Sequence, residues 1–360
     1  KRRPPAPLPG QRRAPPDGAV QTRDPAPAPL AGRELLLADL DGVVYRGKQG
    51  IPGAVAQLNR AAETMRLGYV TNNASRTDQV VADHLRSLGL RAETDEVVTS
   101  PQAAVALLQQ SVEPGATVLV VGGEGLVDEL GKAGYRITRS ADEDPAAVVQ
   151  GFAPEVGWAQ LAEASFALAE RPGRDPLPWI ATNTDWTLPL ERGLAPGNGT
   201  LVSAVHTAVQ RLPVFAGKPE APIFEAAFDR FGTRNALMIG DRLDTDVKGA
   251  RVVGIPSALV LTGVDRPKQL VAASADMQPD YIVSTLAELH EPYPSTVFDR
   301  DGAARVGTAR VRMRGHIVEI VDRGDSQLNL LRAGCAAIWA SGLAIYGLVV
   351  PEELYADHWV

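Results

Sequence analysis

The chain has 360 residues, 45% hydrophobic and 22% charged, a balance that leaves room for two domains and excludes a largely disordered protein. Its formal net charge of -7 argues against a general nucleic-acid surface, so an anionic substrate must be met by a local cluster of positive charge and amide donors. A single cysteine, Cys335, cannot form an internal disulfide, and no Cys/His grouping has zinc spacing, which points to a reducing, cytoplasmic setting.

Residues 1–32 combine many prolines with KRR and QRR and few large apolar side chains, so they read as a disordered tail. From residue 33, short apolar runs ending in Gly, Asp, Asn or Thr alternate with helical stretches, the rhythm of an α/β protein with a parallel sheet. The expected strands are ELLLADL, LGYVTN, EVVTS, TVLVVG, AAVVQGF, WIATNT, ALMIGD and SALVLTG. Several lack alternation, as strands covered on both faces do. Helices are expected over 77–88, with Thr77 as N-cap, over 101–110 and over 221–231. Residues 33–115 and 202–290 then form a Rossmann-like core. Residues 116–201, with strands and helices of their own, read as an inserted α/β cap, and Pro196-Gly197-Asn198-Gly199 as the hinge of its return. Residues 291–360 change rhythm and read as a small C-terminal α+β module of ββαβ order. Its uncharged run over 333–350 is nearly long enough for a bilayer, but Gly334, Gly342 and Gly347 interrupt it. The better parse is a buried helix ending near Ser341-Gly342, then a strand, AIYGLVV, stopped by Pro351.

Polar motifs stand where four core strands end: Asp39-Leu-Asp41-Gly42, Thr71-Asn72-Asn73, Gly217-Lys218-Pro219 and Gly240-Asp241-Arg242. Open α/β sheets bind ligands outside the carboxyl ends of their strands, so these four should converge. Asp39 and Asp41, two residues apart, face one way and repel; the usual remedy is a hard divalent cation, with Mg²⁺ the abundant choice. Asp241 adds a third carboxylate, with Asp244 and Asp246 behind it. A phosphoryl group at such a cation needs donors: Lys218 as a point charge, Thr71 as a hydroxyl, and backbone amides around Gly42 and Thr71. Two acids also divide labour, since the attacking carboxylate must be ionised while the leaving oxygen needs a proton; Asp39 is assigned as nucleophile and Asp41 as acid, then base.

DLDGV at 39–43, TNN at 71–73, GKP at 217–219 and GDRLDTD at 240–246, in that order and with a large insertion between the second and third, resemble the haloacid dehalogenase-superfamily phosphatases. The chain is similar to the branch with a type-2 α/β cap, which includes 4-nitrophenyl phosphate, phosphoglycolate, pyridoxal phosphate and glycerol 3-phosphate phosphatases, and most like the actinobacterial glycerol 3-phosphate group. The resemblance, over 35–289, implies a phosphorylated Asp39, an acid/base Asp41 whose carbonyl also binds metal, phosphate held by Thr71, Asn72 and Asn73, and a neutralising Lys218. It implies Mg²⁺ at Asp39, Asp41, Asp241 and, more peripherally, Asp246. It also implies that the cap loop Asn183-Thr184-Asp185-Trp186 faces the leaving group of a small phosphorylated metabolite. Neither a nucleic-acid partner nor a membrane span is expected, and self-association is left open.

Each motif has a bland reading. A strand-end Asp-Gly pair is often only a turn, and Asp244 or Asp246 equally suits a helix cap. Four such motifs in order favour the chemical reading. The five histidines have no metal spacing, and Cys335 lies in an apolar helix where packing is the better assignment. Beside glycerol 3-phosphate, the alternatives are phosphoglycolate, pyridoxal phosphate or a nucleotide as substrate, and, from another class, a non-catalytic phospho-acceptor signalling domain, which also uses clustered acids and a lysine; the inserted cap and the second acid speak against the signalling reading.

Overall fold

Alternate residues of the central strands enter two different apolar layers, and this places the sheet between them. Leu35 and Leu37 pack with Phe224 and Met238 on one side, while Leu36 and Ala38 pack with Leu58, Leu85 and Ile239 on the other. That double coverage is why the Leu35–Ala38 strand is buried throughout and shows no polar alternation. In the computed structural model, which describes residues 26–170, 172–190 and 192–356, six parallel strands run in the order Tyr281–Val283, Ser257–Val260, Ala236–Gly240, Leu35–Ala38, Arg66–Thr71, Val97–Thr99. The expected helices form at Asp78–Ser87, Ser100–Leu108 and Ala221–Phe231. The Thr77 hydroxyl accepts the Val80 N–H at 3.2 Å, and Gly232, in the left-handed region, ends the third helix.

A second parallel sheet, in the order Val214–Phe215, Trp179–Ala181, Ala147–Gln150, Thr117–Val121, Arg136–Thr138, makes the cap. It extends beyond the expected return at residue 201. Val202 and Val205 of the helix Asn198–Val209 share an apolar cluster with Ala164 and Leu168 of the helix Trp158–Leu168, and Val214–Phe215 then adds the last cap strand. The turn residues at 196–199 therefore start a cap helix, and the core resumes at Gly217-Lys218.

The C-terminal module is a four-stranded antiparallel sheet, Thr296–Phe298, Ala304–Val306, Ala309–Arg314 and Ile317–Asp322, covered by the helix Gln327–Ser341. That order replaces the expected ββαβ. The helix ends at Gly342 as read from the sequence, but AIYGLVV forms a 3-10 turn at Ile345–Gly347 and one bridge, Val349 to Ile317. Tyr346 is 94% exposed, so the run does not present the continuous apolar face that a buried strand needs.

The part of the expected tail over residues 1–25 lies outside the described residues, whereas 26–32 are built into the fold. Ala26 and Tyr293 exchange backbone hydrogen bonds of 3.0 Å each way, and Leu30 is buried. No helix among the described residues is long and apolar enough to cross a membrane.

Candidate active site

The four polar strand ends meet. The Asp39 N–H remains in the sheet, donating to Ile239 O at 2.9 Å, so its carboxylate emerges where the Leu35–Ala38 strand stops. Lys218, only 2% exposed, reaches it from the start of the resumed core. Its ammonium lies 2.5 Å from Asp39 Oδ1, 2.7 Å from Asp246 Oδ1 and 3.2 Å from Val70 O. Burial alone would lower the Lys218 pKa, but the Asp246 and Asp39 carboxylates outweigh it and hold the ammonium protonated. Burial pushes the Asp39 carboxyl up, Lys218 opposes that, and Asp41 adds to it.

Asp39, Asp241 and Asp246 each bring a carboxylate oxygen to within 4.8 Å of the others. Asp241 Oδ2 accepts the Val264 N–H at 2.6 Å, while its buried Oδ1 has no hydrogen-bond partner among the described residues. Burial, then repulsion from Asp39 and Asp246, raises the Asp241 pKa well above the usual carboxylate range. Asp246 is pushed up to about 6, chiefly by burial against the pull of Lys218. Three crowded carboxylates with one orphaned buried oxygen are the donor set a hard divalent cation takes, so Mg²⁺ fits this cluster. Two glycines make the crowding feasible. A Cβ on Gly42, which has φ +83, would sit 2.2 Å from Asp241 Oδ2, and one on Gly240 would sit 2.1 Å from the Asp246 Cβ.

The acids at 241–246 are sorted by a five-residue π turn, Leu243–Val247. Asp246 is turned inward and accepts the Arg242 N–H at 3.1 Å. Asp244 points out and pairs with the Arg242 guanidinium at 3.0 and 2.9 Å, which leaves it outside the carboxylate cluster. Asp41 stands at the mouth of the cleft with its side chain open to solvent. Crowding by the surrounding protein nevertheless raises its pKa, with Arg76 and then Lys218 opposing.

The residues expected to hold phosphate divide. Thr71 is buried beside Val70; its hydroxyl accepts the Asn73 N–H at 3.1 Å, and the O–H is left to donate. The Gly42 N–H, expected to face phosphate, donates to Tyr45 O at 2.8 Å, so Gly42 serves the turn and the approach of Asp241. The Asn73 carboxamide oxygen is taken by the Ser75 N–H and hydroxyl at 2.9 and 2.8 Å. Asn72 is a rivet. Its carboxamide pairs with both backbone groups of Lys218, at 2.8 and 3.0 Å, and donates to Asp185 Oδ1 at 3.1 Å. Asn183 likewise is engaged within the protein, donating to Asn72 O at 2.7 Å and accepting the Asp185 N–H at 3.1 Å. Of the cap residues expected here, Asp185 is half-buried and Trp186 is 61% exposed.

Sequence reasoning missed Arg76, which faces Asp41 by charge alone, and Val264 and Asp265, which secure Asp241 and the Leu243 N–H. Their partners lie more than twenty residues away or carry no spacing signature. Ser100, whose hydroxyl donates to Asn72 O at 2.8 Å, and Asn198 were missed for the same reason.

The sequence profile of the haloacid dehalogenase-like hydrolases matches residues 36–136, and a second, HAD-hydrolase-like profile matches 215–289. The chain is 42% identical over 321 residues to a D-glycerol 3-phosphate phosphatase of Mycobacterium tuberculosis, covering 86% of this chain and 87% of that one. It is 38% identical to the glycerol-3-phosphate phosphatase of Gallus gallus, covering 73% of this chain and 93% of that one. Among solved structures, the glycerol phosphate phosphatase of M. tuberculosis in complex with magnesium superposes with a TM-score of 0.77 at 39% identity, covering 90% of this chain and 95% of that one.

Proposed function

The chain belongs to the haloacid dehalogenase-like hydrolases and is a Mg²⁺-dependent phosphatase; from that premise we propose that Asp39 is its nucleophile and glycerol 3-phosphate its substrate. The observation that carries the assignment of Asp39 is the contact with Lys218, which neutralises a buried carboxylate at the end of a strand while Asp41 stands two residues on with access to water. When bound, Mg²⁺ supplies positive charge for the phosphoryl oxygens, and Asp39, Asp241 and Asp246, together with the Asp41 carbonyl, are the groups that would hold it.

In the first half-reaction an Asp39 oxygen attacks phosphorus, the bond from phosphorus to the alcohol oxygen breaks, and Asp41 gives that oxygen its proton. In the second, Asp41 takes a proton from water, the water oxygen attacks phosphorus, and the Asp39 acyl phosphate is released as carboxylate and inorganic phosphate. Lys218 and the Thr71 hydroxyl stabilise charge on the transferring group. The raised pKa of Asp41 suits the proton-carrying role, because an acid that is too strong donates poorly near neutrality.

Glycerol 3-phosphate is preferred because the two relatives above carry that activity in their names. A cytoplasmic setting belongs to the same reading and is supported by the free, buried Cys335; cell fractionation tests it. A phosphate-release panel with Mg²⁺ tests the substrate, using both enantiomers of glycerol 3-phosphate, phosphoglycolate, pyridoxal phosphate and p-nitrophenyl phosphate. Glycerol 3-phosphate should give the highest kcat/KM, and a more than about tenfold preference for any other would remove it. Asp39→Asn should lower kcat by roughly 10⁴-fold and form no phosphoenzyme; Asp41→Asn should accumulate phosphoenzyme from p-nitrophenyl phosphate, whose leaving group needs no proton.

A further inference from the structure

The run Pro196-Gly197-Asn198-Gly199, which as a sequence suggests a hinge, instead grips the loop that reaches the catalytic cleft. The helix Asn198–Val209 points its N-terminal end at the loop Asn183–Trp186, and four separate donors hold that loop's carbonyls. The Gly197 N–H donates to Trp186 O at 2.9 Å and the Gly199 N–H to Asp185 O at 2.9 Å. The Asn198 carboxamide donates to Asn183 O at 2.9 Å, and the Thr200 hydroxyl to Trp186 O at 2.7 Å. Both glycines are required by proximity: a Cβ on Gly197 would lie 2.2 Å from Asp185 O, and one on Gly199 would lie 2.5 Å from Thr184 O. Asn198 is 1% exposed, so losing its donor leaves a buried carbonyl without a partner and with no water to replace it.

From this seat the loop reaches the core through side chains whose partners are all fixed. Asn183 bonds Asn72 O, Asp185 bonds the Asn72 carboxamide, and Asn72 bonds both backbone groups of Lys218. Asp185 is half-buried, and burial raises its pKa against the pull of Asn72, Arg242 and Lys218, as expected for a carboxylate on the wall of the cleft that holds Lys218. A carboxylate fixed there can accept hydrogen bonds from hydroxyl groups of a bound alcohol.

We propose that Asn198 is a positioning residue whose clamp on the loop Asn183–Trp186 sets Asp185 for recognition of a polyhydroxylated leaving group, and so sets substrate discrimination. The proposal rests on the phosphatase reading. It requires that loosening the clamp harm substrates carrying hydroxyls more than one carrying a flat aromatic ring.

The test compares kcat/KM for glycerol 3-phosphate and for p-nitrophenyl phosphate in the full chain with Mg²⁺, for the unmodified enzyme, Asn198→Ala, Gly199→Ala and Thr200→Val. The ratio of the two values should fall about tenfold in the first two variants and about threefold in the third, with the loss for glycerol 3-phosphate entering mainly through KM. Thr200 is exposed, so its variant keeps the test alive should a buried substitution prevent folding. If both substrates decline in step, or the ratio stays within about twofold of the unmodified enzyme, Asn198 has only a structural role and the proposal is wrong. Absence of turnover of both substrates by the unmodified enzyme would refute the phosphatase reading itself and, with it, this proposal.

Discussion

At the scale of single residues, the site crowds three like charges, with the Lys218 ammonium against two of them, Asp39 and Asp246. Asp39, Asp241 and Asp246 all have raised pKa values, and Asp246 stands near 6. A carboxyl whose pKa is higher folded than unfolded stabilises the fold at low pH, and that contribution is lost as pH rises through the folded value. Metal-free protein should therefore lose melting temperature between about pH 4.5 and pH 7, while Mg²⁺, if it binds these acids in their deprotonated form as proposed, should raise it more at about pH 7.5 than at about pH 5. Differential scanning fluorimetry with and without EDTA measures both trends; a Mg²⁺ shift of equal size at the two pH values would contradict the assignment of the cluster as the metal site. Asp39, Lys218 and Asp241 were legible in the sequence because each ends a strand or opens a turn. What Asn72 and Gly42 do was not, because the partner that occupies an amide is fixed by tertiary geometry and leaves no trace in spacing.

At the scale of elements, the π turn at Leu243–Val247 decides which acid looks inward. One residue more per turn than an α-helix rotates Asp246 toward Lys218 and leaves Asp244 to Arg242, a sorting that the string LDTDV does not reveal. The strand before it must bring Gly240 against that turn. Gly240→Ala puts a methyl group 2.1 Å from the Asp246 Cβ, so it should displace the turn and weaken Mg²⁺ binding at least about tenfold, read by isothermal titration calorimetry. Retention of full affinity with an intact fold would show that the turn is not held by this contact. The expected core strands were recovered because parallel strands buried on both faces write uninterrupted apolar runs. AIYGLVV failed as a strand because an apolar run alone does not distinguish a strand from a turn laid on the edge of a sheet.

At the scale of the molecule, the C-terminal module shares a buried apolar cluster with the core, Leu259 and Leu270 packing with Val311 and Leu331, and a buried cation pins the two together. The Arg332 guanidinium, on a side chain 7% exposed, donates to Ile282 O at 3.0 and 2.6 Å, pairs with Glu288 at 2.7 Å and stacks 4.6 Å over the Tyr293 ring. Arg332→Met should cost about 2–4 kcal/mol in urea unfolding, because Glu288 and the Ile282 carbonyl lose their partner; a loss below about 0.5 kcal/mol would mean that the apolar contacts of the helix suffice. The cap boundary was misplaced from sequence for a related reason. A cluster of turn residues marks a change of direction, and only packing tells whether the chain has left one domain for another.

The two parallel sheets turn the carboxyl ends of their strands toward a common cleft, with the reactive carboxylates on one and the loop Asn183–Trp186 on the other, and the Asn72 side chain spans the gap. Such a two-storey arrangement separates what can drift from what cannot. If the loop meets the leaving group as proposed, replacing its side chains would retune which alcohol is accepted while the lower storey goes on cleaving the same bond, so a lineage built this way could acquire a new diet without reinventing its teeth.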